Sequence, residues 1–81
     1  MSTALYVVIS SRGDWWVDFE GHASGPFASK EDAAAEATQL ARFAAHSGHE
    51  SEVLVPDENG RHRIIWASED EPSYYAPSAA E

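Results

Sequence analysis

The sequence predicts an α+β domain: a four-stranded antiparallel sheet (ββαββ) with one helix packed on one face. Three observations point there. Two short runs rich in β-branched and aromatic residues, Leu5 to Ser10 and Trp15 to Glu20, flank a glycine turn near the start. Alanines at helical spacing fill the middle of the chain. Asn59-Gly60 then separates two further strand-like runs, Glu52 to Pro56 and Arg61 to Ala67. The chain has 81 residues with 14 Asp and Glu against 5 Lys and Arg, so there is room for one small acidic domain. A chain this short buries roughly 60% of its unfolded surface, which leaves no space for a deep enclosed active site.

The first hairpin has two candidate registers. A three-residue loop, Ser11-Arg12-Gly13, pairs Ile9 with Trp15, Val7 with Val17 and Leu5 with Phe19, one wholly apolar face. A two-residue loop mixes Asp18 and Glu20 with Leu5, Val7 and Ile9, at a cost in charge desolvation, so the three-residue loop is expected. The Gly21 to Pro26 stretch reads as a loop.

Ser29 is the expected helix N-cap, with Asp32 three residues on as a short capping box. Ala33, Ala37, Leu40, Ala41 and Ala44 form the buried stripe, and Gly48 is the natural residue just past the helix end. In the second hairpin, a two-residue turn at Asn59-Gly60 pairs Val55 with Ile64 and Val53 with Trp66. The domain is expected over residues 1–67. Residues 68–81 carry four carboxylates, two prolines and no basic residue, and are expected to form a flexible acidic tail. Without them the net charge of −9 falls to −5.

One helix covers one sheet face. Leu5, Val7, Ile9, Trp15, Val17, Phe19, Val53, Val55, Ile64 and Trp66 are expected beneath it, which leaves Tyr6, Val8, Trp16, Leu54 and Ile65 on the other side as a candidate interface. Self-association is the simplest use of such a patch, since a two-fold axis lets it cover its own copy. The expected role is therefore a non-enzymatic interaction module, most simply a homodimer. An acidic nucleic-acid mimic or regulator that binds a basic protein is the alternative.

Other chemistry finds little support. His46 and His49 stand three apart, but Gly48 ends the helix between them, so neither metal nor cofactor is expected. The acids fall in the first helical turn, the Asp57-Glu58 turn and the tail, which are solvated places for a catalytic carboxylate pair, and no catalytic residue stands out. Three arginines, Arg12, Arg61 and Arg63, do not offset the acidic field, so direct nucleic-acid binding is not expected. No apolar run is long enough for a membrane span, and the absence of cysteine excludes a disulfide framework; a cytoplasmic setting is expected.

Tyr6-Val7-Val8, Gly13-Asp14-Trp15-Trp16-Val17, Ser29-Lys30-Glu31-Asp32-Ala33 and Asn59-Gly60-Arg61 together resemble a family of short bacterial proteins classed as a domain of unknown function. Its members read hairpin, alanine-rich helix, hairpin, and the resemblance covers residues 4 to 67. It implies the same ββαββ organisation and brings no catalytic or binding residues with it.

Overall fold

A computed structural model describes residues 3–70 of the chain. The order of elements is β1 (Ala4–Ser11), β2 (Asp14–Phe19), β3 (His22–Phe27), α1 (Lys30–His46), β4 (Ser51–Pro56), β5 (His62–Ala67) and a 3-10 turn at Ser68–Asp70. The α+β class and the single helix on one face are as expected. The sheet differs in having five strands in the order β3-β2-β1-β4-β5, with β1 and β4 parallel and the other neighbours antiparallel.

The added strand is β3. Its sequence, His-Ala-Ser-Gly-Pro-Phe, lacks β-branched residues and contains proline, so composition hides it. Proline is tolerated because β3 is an edge strand, where a missing N–H breaks no ladder on the outer side. With β3 in place, α1 carries the chain across the sheet to the far side of β1. β4 therefore lies parallel to β1, as a helical crossover allows.

The first hairpin closes through two residues, with Ser11 paired to Asp14, and Arg12 and Gly13 both at positive φ (56° and 82°). That is the type I′ pattern, whose twist matches the strands it joins. The expected three-residue loop is therefore corrected. A slip of one residue turns every side chain of β1 to the other face. Val8 pairs with Val17, and the Tyr6 ring stacks on Phe19 with centroids 4.6 Å apart. The desolvation cost that weighed against this register does not arise, because Asp18 lies on the face that the helix leaves in water and Glu20 sits in the exposed turn after β2.

The second hairpin is corrected in the opposite sense. Glu58, Asn59 and Gly60 form a three-residue loop, closed by Asp57 N–H to Arg61 O at 2.7 Å and Gly60 N–H to Asp57 O at 3.0 Å. Val53 pairs with Trp66 as expected. A bulge follows, so Ile64 sits opposite Leu54 and Arg63, not Ile64, opposite Val55.

The helix behaves as its caps dictate. Ser29 Oγ accepts the Asp32 N–H at 3.0 Å. At the other end, Gly48 N–H reaches Ala45 O and His49 N–H reaches Ala44 O, both at 3.0 Å, the paired bonds of a Schellman motif. Ala33, Ala37 and Ala41 are fully buried against Val8, Val17 and Val53, and Tyr6 completes the cluster. Small side chains let the helix axis approach the sheet closely, so this thin core is filled by valines. The Ser51 hydroxyl donates to Ala41 O at 2.7 Å and the Ser51 N–H to Ser68 Oγ at 3.0 Å, which ties helix, β4 and the 3-10 turn together. Ser68 is buried, so the described domain runs past Ala67 to Asp70, and the rest of the expected tail, residues 71–81, lies outside the described residues.

Candidate functional site

The sheet face away from α1 is built by strand alternation. β1 contributes Leu5, Val7 and Ile9; β2 contributes Trp16; β4 contributes Leu54; and β5 contributes Ile64, with Ile65 the extra residue of the bulge beside it. Leu5 is 44% exposed, Ile64 54% and Ile65 47%, all high for large aliphatic side chains. The strip is continuous across four strands. Leu54 lies beside Val7 on one side and Ile64 on the other, and Trp16 lies beside Ile9.

Tyr6 and Val8, expected on this surface, are instead beneath the helix at 8% and 0% exposure. The shorter turn moves them there, and Leu5, Val7 and Ile9 take their places. Trp16 and Leu54 do lie on the open side, with Ile65 at the bulge beside them; Ile64, expected in the core, is outside. Leu5 to Ile9 is an unbroken apolar run, so hydrophobicity does not choose between its two faces, and the turn does.

Polar groups frame the strip. Asp14, Asp18 and Glu52 border it, and the Trp16 indole N–H donates to Ser11 O at 3.3 Å. His62 Nε2 lies 3.1 Å from Val8 O, which fixes the imidazole across the β4 end of the face.

Among the described residues, two titratable groups depart from their ordinary behaviour. Burial, helped by the nearby Glu20 carboxylate, pushes the Tyr6 hydroxyl up, so it stays neutral. Asp57 is held below the usual carboxylate range, chiefly because it accepts the Arg61 backbone N–H at 2.9 Å, and also that of Asn59 at 2.8 Å. Arg63 and Lys30 add to the effect, and partial desolvation opposes it. This carboxylate organises a turn. His46 ends α1 and His49 lies beyond the Schellman turn, which parts them as the sequence suggested. Among the described residues, no three of His, Asp and Glu converge as a metal site would need, and no helix is long and apolar enough to cross a membrane.

Against known families, residues 5–74 match the pattern described as "Uncharacterized protein conserved in bacteria (DUF2188)". The chain belongs to this bacterial family. The match takes in the helix, β2 to β5 and all of β1 but Ala4 of the DUF2188 domain. No curated protein and no solved structure matches the chain.

Proposed function

We propose that this DUF2188 domain is a non-catalytic interaction module that pairs with a second copy of itself through the open sheet face. The observation that carries the proposal is the apolar strip of Leu5, Val7, Ile9, Trp16, Leu54 and Ile64 on a face the helix does not cover. Isolated apolar surface residues are ordinary, but a contiguous strip across four strands is the kind of patch that marks a contact.

A second copy fits on geometric grounds. A two-fold axis parallel to the strands, through the gap between β1 and β4, places β1 over β4 and β2 over β5. Val7 then meets the partner subunit's Leu54, and Trp16 meets the partner subunit's His62, with Asp18 beside it. The same operation lays Asp18 level with the partner subunit's Ile64 and Glu52 level with the partner subunit's Leu5, so the apolar strip, not charge, carries the pairing. Sheets packed face to face in this aligned manner are a common arrangement. The solution mass tests the reading. A species of twice 8.8 kDa that Leu5→Glu and Ile64→Glu each return to 8.8 kDa supports it. A monomer at every concentration removes it.

A further inference from the structure

A hollow opens on the helix side of the sheet, where β1 begins and β2 ends. It measures about 310 Å³ and is lined by Ala4, Tyr6, Phe19, Glu20, Ala44 and His49, among others. Tyr6 and Phe19 form an apolar wall, their rings stacked 4.6 Å apart and within 9° of parallel. Ala44 and His49 bring the C-terminal end of α1, where the helix carries partial negative charge. Glu20 adds a full negative charge, close enough to the Tyr6 hydroxyl to help keep it neutral. Among the described residues that line the hollow, none is lysine or arginine. Nor is Glu20 the residue its turn prefers. It is the first of two residues between Phe19 and His22, at φ +53°, with Gly21 at +86°. Asparagine, aspartate or glycine suits that position, and glutamate is strained there.

We propose that this hollow binds a small primary alkylammonium ion, with its alkyl chain against Tyr6 and Phe19 and its ammonium group between the Glu20 carboxylate and the Tyr6 oxygen. The sign of the ligand follows from the lining. An ammonium N–H donates to a carboxylate in a charge-assisted bond, and the end of α1 reinforces the attraction. An anionic ligand would meet repulsion from both. The aromatic wall calls for an organic cation, one with apolar surface to bury, and no three of His, Asp and Glu converge here among the described residues to hold a metal ion. Ligand pockets commonly span ~300–1,000 Å³, so a space this size takes a small guest. The net charge of −9 raises the local concentration of any cation. Tyr6 reaches the hollow only because the two-residue first turn sends it beneath the helix. The site lies on the helix side and leaves the open face for a second copy, so this proposal stands apart from self-association.

The test is a titration of the isotope-enriched full chain with n-butylammonium chloride, followed by amide chemical shifts. Saturable shifts at Tyr6, Phe19, Glu20, Ala44 and His49 are expected, at least several-fold larger than those produced by 1-butanol or by sodium chloride at equal ionic strength. Glu20→Asn should weaken binding at least several-fold while the domain melts no lower than wild type, because the turn gains a residue it prefers and the hollow loses its charge. Glu20→Gln, which keeps the side-chain length, should weaken binding as well. Shifts that 1-butanol or sodium chloride reproduces, or that fail to saturate, overturn the proposal. So do shifts that survive both substitutions, or that centre on Leu5, Val7 and Asp18, because the cation then sits on the open face. Ala44 and His49 lie on the helix side, so failure of this site and failure of the dimer are told apart.

Discussion

Val7 and Val8 are adjacent on β1 and chemically identical, yet the fold gives them opposite surroundings. Val8 is fully buried against the alanine face of α1, and Val7 lies on the open side. Replacing Val8 with alanine removes two methyl groups, worth about 1.6 kcal/mol in transfer. It leaves roughly 50 Å³ of space, and at ~24 cal/mol per Å³ the cavity adds about 1 kcal/mol. The helix has little scope to settle into that space, since Ala33, Ala37 and Ala41 already hold it close. Val8→Ala should therefore cost about 2–3 kcal/mol, a fall in Tm of roughly 10–20 °C for a domain of this size. Val7→Ala loses only strand preference and partial burial, at most about 1 kcal/mol. Urea unfolding followed by tryptophan fluorescence measures both, in dilute solution because self-association would raise apparent stability. Equal costs, or a larger cost at Val7, would restore the three-residue first turn and refute the register on which both surfaces rest.

Two further outcomes follow from local geometry. A Cβ at Gly25 would stand 3.0 Å from Trp15 O and 3.1 Å from the Trp16 ring, at φ +141°, whereas one at Gly21 meets nothing within 4 Å. Gly25→Ala should therefore cost about 1–3 kcal/mol and exceed Gly21→Ala in thermal unfolding; the reverse order would contradict the close β2–β3 approach. Asp57 has a lowered folded pKa, so its contribution is complete above the ordinary carboxylate value of about 4 and fades as pH falls through the folded value. Wild type should thus exceed Asp57→Asn in stability at neutral pH, with the gap closing in acid. A gap independent of pH would dissociate the turn from that carboxylate's charge.

Much of this architecture was legible in the chain because local rules agreed with one another. Ser29, the alanine stripe and Gly48 place α1 almost to the residue, since capping and spacing depend on neighbours a few positions away. The helix-side faces of β2 and β4 were legible as well, because Trp15, Val17 and Phe19 alternate with Asp14 and Asp18. β1 was not, since both of its faces are apolar and its orientation rests on whether two or three residues turn the hairpin. Arg12 at positive φ is the feature that decides it, and arginine carries no sequence signal for that conformation. β3 was hidden by Gly25 and Pro26. The clue to it was Glu20-Gly21, a second two-residue turn directly after Phe19, which repeats the geometry of Arg12-Gly13. The parallel placement of β4 depends on β3, so missing one strand also cost the sheet its mixed order. Of the candidate interface residues, Trp16 and Leu54 lie on the open side and Ile65 is the extra residue of the β5 bulge, whereas Tyr6 and Val8 lie beneath the helix because of the single residue of slip in the first turn.

Sedimentation equilibrium of the full chain, alongside Leu5→Glu and Ile64→Glu, tests most directly whether the uncovered sheet face binds its own copy. A wild-type dimer that both substitutions convert to folded monomers is the predicted result. A wild-type monomer, or a dimer indifferent to both changes, would contradict it.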